Sequence, residues 1–322
     1  MNHPHTTPQA GRLLIGLYPA RYRTAHGEDI AATFTEAAEG LNGRALLRER
    51  LDLASHALRL RLRIGATDPA GRMLAGAAPV VLGLVSGFCL WALVPHLPDL
   101  VHQVRHPSWG GGRTIAVESL LLAVALYLPW IFTLGAVAVG RPRAARALTL
   151  GATLTWMALS TVFDPWMNLL YGGAAFLGGL CAVLLLAPPT LVDRSARGRW
   201  EVTAVAISFG ALLTLARDTG LSAAILGNTF FNTYISWPLL AAAAAVLGHL
   251  VTGRPDRYRA AGAGLVGVVW LLPGVMDGPR WVHSVGRLLG AYLVLVVLAV
   301  ALAAGVRAVR RVRRAEPADP VA

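Results

Sequence analysis

From Met73 to Val306 the chain alternates apolar runs of membrane-spanning length with short breaks that carry Arg, Gly or Pro. Crossing a bilayer takes about 20 apolar residues, within a range of roughly 17–25. Eight runs qualify: Met73–Pro95, Ser119–Gly140, Ala147–Phe163, Pro165–Leu186, Trp200–Ala216, Thr233–Gly253, Ala260–Met276 and Leu288–Val306. The pattern predicts an all-α polytopic bundle of eight transmembrane helices in the cell membrane.

Three of these runs have only 17 residues, and the arginines test them independently, because cytoplasmic loops collect positive charge. With the N-terminus inside, 24 of the 29 basic residues fall inside and 5 outside. If the short run Trp200–Ala216 does not cross, everything after it inverts and the tally becomes 19 against 10. Eight crossings with both termini cytoplasmic is the better reading.

Composition then excludes several chemistries. The 322 residues are 55% hydrophobic and 14% charged, against about 25% charged in soluble chains. The formal net charge is +12 and every Lys-or-Arg position is Arg. Without Lys there is no Walker A loop, Schiff base or Ser-Lys nucleophile. Arg-only usage with abundant Ala, Gly, Leu and Val reads as the codon habit of a GC-rich genome. Cys89 and Cys181 lie in apolar runs, which leaves no disulfide framework or Cys-rich metal site.

Residues 1–72 differ from the rest: they hold ten Arg and no apolar run long enough for a signal-peptide core or a span. Ile30, Phe34, Ala37 and Leu41 form one amphipathic stripe, and Leu47, Leu51, Ala54, Leu58 and Leu62 form a second. Arg44, Arg48, Arg59 and Arg63 flank the second stripe, where their stems can snorkel toward headgroups. Two compatible readings follow. In one, the stripes bury each other in a cytoplasmic helical hairpin. In the other, the hairpin lies on anionic inner-leaflet lipids, each nearby Arg adding about 1 kcal/mol. Nucleic acid is not expected as a partner, since no DNA-binding pattern accompanies these arginines.

The stretch Leu17-Tyr18-Pro19-Ala20-Arg21-Tyr22-Arg23 and its continuation His26-Gly27-Glu28-Asp29 resemble the "LYPxxYRxxYGEE" opening of a group of actinobacterial multi-pass integral membrane proteins. Leu51-Asp52-Leu53 through Arg59-Leu60-Arg61 resembles the helix that follows in that group, and His26 stands where the group usually has a second Tyr. The resemblance covers about residues 12–63. It implies a permease-prefix-like cytoplasmic segment ahead of a membrane region, and no assigned activity.

The membrane part also reads as duplicated at an offset of 113 residues. Gly140-Arg141-Pro142-Arg143 pairs with Gly253-Arg254-Pro255-Asp256, and the outer turns Asp164-Pro165-Trp166 and Asp277 to Trp281 pair likewise. A four-span unit repeats without inversion, giving a parallel 4+4 arrangement. The expected divisions are 1–72 (prefix), 73–188 and 189–306 (four spans each), and 307–322 (a disordered basic cytoplasmic tail).

Chemistry-bearing residues are sparse. Intramembrane charge is the usual mark of function in membrane proteins, and no run carries a mid-span Asp, Glu or Arg. Glu118 at the outer mouth of the second run, Asp164 and Asp277 in outer turns, and Asn228 and Asn232 before the sixth run are the candidates. His102 and His106 stand at i, i+4, but no HExxH pattern accompanies them and Pro107 follows at once. Neither a cofactor nor a metal is expected. Three functions remain open. In order, they are a non-enzymatic membrane component or regulator that meets a cytoplasmic protein through residues 1–72, a permease-like carrier of an apolar or zwitterionic solute, and a lipid-acting membrane enzyme.

Overall fold

The computed structural model describes residues 14–94, 97–105, 112–163, 180–188, 195–218, 229–251, 255–271 and 279–315. These are helices and their connections, with no strand among the described residues. The chain divides into two compact units, Met1–Gly71 and Arg72–Ala322.

The first unit is built on α1 (Ala20–Ala38) and α2 (Gly43–Arg61). Pro19 precedes α1, and the Asn42 side chain caps α2 by accepting from the Ala45 amide at 3.2 Å, satisfying an amide with no partner inside the helix. At the other end of α2 the Arg63 and Ile64 amides return to the Leu60 and Arg59 carbonyls. This is a Schellman stop, with Arg63 in the left-handed region at φ 52° and Ile64 buried.

The two helices do not pack stripe against stripe. Leu47, Leu51, Leu58 and Leu62 are 56%, 61%, 47% and 49% exposed, whereas Ala57, on another face of α2, is fully buried. The reading in which the stripes bury each other is thus corrected. Contacts from the segment before α1 set the rotation of α2: the hydroxyl of buried Tyr18 hydrogen-bonds with His56 Nδ1 at 2.9 Å, and Arg61 donates to the Gly16 carbonyl at 3.1 Å.

The second unit comprises α3 (Pro69–Leu93, from Arg72 onward), α4 (Leu97–Arg105), α5 (Gly112–Ala138), α6 (Pro142–Phe163), residues 180–188, α7 (Ala196–Asp218), α8 (Thr229–Val251), α9 (Arg257–Trp270) and α10 (Pro279–Ala315). Among the described residues three stretches are long and apolar enough to cross a membrane: Pro69–Leu93, Leu120–Ala138 and Gly286–Arg310. The first has 72% of its apolar window buried and the other two 17% each, so α3 is central while α5 and α10 are peripheral. One buried cluster joins α3 to Trp130 of α5, Phe209 and Leu213 of α7, Trp270 of α9 and Tyr292 of α10. Outward, Leu121, Phe132, Leu154, Ile207, Val297 and Leu298 are all more than half exposed, an apolar exterior suited to hydrocarbon and not to water.

Lipid tails are as apolar as Leu, so helix association in a membrane rests on close packing instead of the hydrophobic effect. Glycines supply it here. A Cβ on Gly76 would land on the Arg259 carbonyl, and one on Gly262 on the Met73 carbonyl, so α3 and α9 cross backbone to backbone. Higher on α3, Gly83 and Gly87 face Val205 and Ala206 of α7. Gly264 accepts from the buried Tyr292 hydroxyl at 2.6 Å while Gly267 lies under its ring.

Several elements differ in length from the apolar runs. α6 starts five residues before Ala147, because Arg143 and Arg146 are good helix formers despite their charge. α10 continues past Val306 through Arg307 and Arg310 to Ala315. The expected disorder of the tail is thus corrected for 307–315; residues 316–322 are outside the described set.

Candidate functional site

The described polar side chains concentrate in two places, the hairpin and the basic helix ends of the second unit. In the hairpin, the resemblance motif supplies a ladder of rings. Tyr18, Tyr22 and His26 recur every four residues, and consecutive ring centroids are 5.6 and 4.8 Å apart. His56 of α2 joins them, 5.6 Å from Tyr18 and 6.4 Å from Tyr22. Burial, then the neighbouring Arg59 charge, holds the His56 imidazole below its usual value. Burial and Tyr22 push Tyr18 up, with Arg59 partly opposing. Both shifts favour neutral partners, so the Tyr18–His56 hydrogen bond joins an uncharged phenol and an uncharged imidazole.

A His whose folded value is depressed contributes stability that is present above its unfolded value, about 6.5, and lost as pH falls through the folded one. Amide protection factors around Tyr18 and Ala57 in the full chain are expected to fall below about pH 6.5, and a His56→Gln variant to lack that acid limb. An equal fall in both proteins would remove His56 as the cause.

Beside the ladder, α1 and α2 enclose an open groove of about 420 Å³ with Ile30, Phe34, Ala37 and Leu53 among its lining. Asp29, Glu49 and Asp52 also line it, and no Arg does. On the opposite side of α2 run the exposed leucines, with Arg44, Arg48 and Arg63 exposed and Arg59 half-buried beside them. α2 therefore has one face turned to the groove and another that is apolar with a cationic border.

In the second unit, Asp256 caps α9, its Oδ1 accepting from the Tyr258 and Arg259 amides at 3.0 and 3.1 Å. Its Oδ2 lies 3.0 Å from Arg72 Nε and 3.7 Å from Arg259 Nε. Arg72 also stacks over the Tyr258 ring at 4.9 Å. Burial alone would raise the Asp256 carboxyl, but the bonds from Arg72 and from the Arg259 and Tyr258 amides hold it below its usual range. Other arginines close helix ends: Arg146 donates to the Ala187 carbonyl at 2.8 Å and Arg310 to the Val251 carbonyl at 2.7 Å. Arg199 abuts Gly140 just beyond α5, where a cation complements both the free carbonyls and the helix dipole.

The sequence candidates do not converge on one site. Glu118 is exposed on α5. Asn232 belongs to α8, and Asp164, Asp277 and Asn228 fall outside the described residues, as do His106 and the first outer turn of the repeat, while Pro279 to Trp281 of the second open α10. No group of three His, Cys, Asp or Glu able to hold a metal occurs among the described residues. The buried polar side chains Ser86, Thr133 and Thr149 all donate to backbone carbonyls, of Trp130, Pro129 and Ala145. At the cap of α9 the two proposed repeats differ: Asp256 corresponds to Arg143, which cannot accept from a helix amide. Sequence reading missed the groove and the Gly76–Gly262 crossing; the motif rings at 18, 22 and 26 were a signal for the former. Neither a family model, a curated protein nor a solved structure matches the chain.

Proposed function

We propose that the protein is a non-enzymatic multi-pass membrane component whose hairpin lies on the anionic inner leaflet and meets a cytoplasmic protein. The observation that carries this is the exposed leucine face of α2 with its arginine border. An amphipathic helix of this kind buries its apolar face at the headgroup boundary while its cations pair with lipid phosphates. Leu62 is only seven residues from Pro69, the first residue of α3, so the linker reaches no further than about 25 Å.

In this reading the chain crosses eight times, as two four-span halves with both ends cytosolic. Four contacts support that sidedness: Arg72 with Asp256, Arg146 with Ala187, Arg310 with Val251 and Arg199 beside Gly140 each join segments assigned to the inner side. α3 and α7 also run the same way, Gly83 meeting Val205 and Gly87 meeting Phe209, as two odd-numbered crossings should. Trp200, 72% exposed beside Arg199, suits an anchor at the headgroup level. A carrier is less well supported, because the buried hydroxyls among the described residues are already bonded to helix carbonyls.

A nitroxide at Leu51→Cys or Glu36→Cys in the full chain, reconstituted in phosphatidylcholine vesicles with and without phosphatidylglycerol, tests the leaflet contact. The label at 51 is expected to be oxygen-accessible and shielded from an aqueous nickel chelate when phosphatidylglycerol is present, with 36 aqueous throughout. Joint Arg44→Glu, Arg48→Glu, Arg59→Glu and Arg63→Glu substitution should release position 51, since four charges at about 1 kcal/mol each weigh roughly a thousandfold. Equal nickel access at 51 and 36 in anionic vesicles would refute the contact.

A further inference from the structure

We propose that the groove between α1 and α2 binds an arginine-bearing peptide segment of the cytoplasmic partner. The inference deepens the functional reading above and rests on its claim that the hairpin meets a protein. Charge carries it first. In a chain of net charge +12, the twelve residues lining this groove include Asp29, Glu49 and Asp52 and no Arg. None of these three carboxylates forms an ion pair with a described Arg, although Arg48, Arg50 and Arg59 share α2 with two of them. The groove is thus left anionic in a basic protein.

Ring chemistry adds the preference for Arg. Tyr22, His26 and His56 line the groove beside the buried Tyr18, and a planar guanidinium stacks on such exposed ring faces while its fork donates to carboxylates. Phe34 and Leu53 supply an apolar surface for the methylene stem or a neighbouring Leu. A Lys ammonium satisfies the charge but not the stacking.

Placement is consistent as well. Glu49, Asp52, Leu53 and His56 occupy the groove side of α2, while Leu47, Leu51, Leu58 and Leu62 occupy the far side of the same helix. Seated on lipid by its leucines, the hairpin turns the groove toward the cytosol.

The test uses the full chain in phosphatidylcholine nanodiscs, where neither the peptide nor the hairpin has an anionic lipid to bind. The probe is a fluorescent twelve-residue Ala/Leu peptide carrying three Arg, alongside matched versions with three Lys or three Glu. We expect saturable binding in the order Arg, then Lys, with no binding of the Glu peptide. Joint Asp29→Asn, Glu49→Gln and Asp52→Asn substitution should weaken the Arg peptide at least tenfold. Joint Glu28→Gln, Glu36→Gln and Glu39→Gln substitution removes equal charge outside the groove and should leave it within twofold. Tyr22→Leu should erase the Arg-over-Lys preference while leaving Lys binding intact. No saturable binding, or equal weakening by the two carboxylate triples, would overturn the proposal. The leaflet contact is read separately by the nitroxide at position 51, so either idea can fail alone.

Discussion

Replacing Gly76 or Gly262 by Leu is expected to destabilise the membrane unit strongly. At both positions the obstructing atoms are backbone of the facing helix: the Arg259 carbonyl and Cα for Gly76, the Met73 carbonyl for Gly262. A side chain can rotate away, whereas a helix backbone moves only by separating the pair. Overpacking costs about 1–3 kcal/mol, and the upper end applies here. For a chain of this size that is a fall in Tm of roughly 6–12 °C in detergent. Gly248→Leu and Gly290→Leu are the controls, since nothing lies within 4 Å of a Cβ at either, and helix propensity alone favours Leu over Gly. The two crossing substitutions should add sub-linearly, because each opens the same contact. If all four variants melt together, the crossing is not a determinant of stability.

The second large effect is expected at Asp256. Its Ala variant removes the acceptor for two α9 amides and leaves Arg72 and Arg259 without their shared carboxylate. Loss of a cap costs about 1 kcal/mol. The half-exposed ion pair adds at most about another, giving roughly 2 kcal/mol together. Asp256→Asn keeps an acceptor and loses only the charge, so it should fall between Ala and the parent. Because the folded carboxyl is held below its unfolded value, its contribution is complete above about pH 4 and is lost as pH falls through the folded value. Melting curves from pH 7 to pH 3 should therefore be flatter for Asp256→Asn than for the parent. Parallel acid limbs would show that the carboxylate is not the group responsible.

How far these features were legible in the sequence depends on the length scale of the signal. Helical character and membrane-spanning length are written in runs of about twenty residues, and α3, the apolar part of α5 and α10 fulfil them. Helix ends were less legible, because apolarity marks where lipid begins and not where hydrogen bonding stops: α6 includes Arg143 and Arg146, and α10 includes Arg307 and Arg310. Heptad-like spacing identified the stripe Leu47–Leu62 correctly but could not say what covers it. That was decided by Tyr18, His56 and Arg61, contacts 38 and 45 residues apart in sequence. The Gly76–Gly262 crossing is likewise a relation between distant positions, which no single run of sequence displays. Glu118, Asp164, Asp277, Asn228 and Asn232 were chosen one by one for their chemistry. A site needs several groups together, and those the hairpin gathers at Tyr18, Tyr22, His26 and His56 lie in a prefix that carries no apolar run of spanning length.

Sidedness is what joins the leucine face, the groove and the arginine-closed helix ends into one account. It is tested most directly by single cysteines at Glu36, Arg143, Arg257 and His102, all exposed, in a full chain whose native Cys89 and Cys181 are buried. With a membrane-impermeant maleimide on intact cells, the account predicts labelling at 102 alone, and labelling at 36, 143 and 257 only after permeabilisation. Labelling at 143 or 257 in intact cells would contradict it.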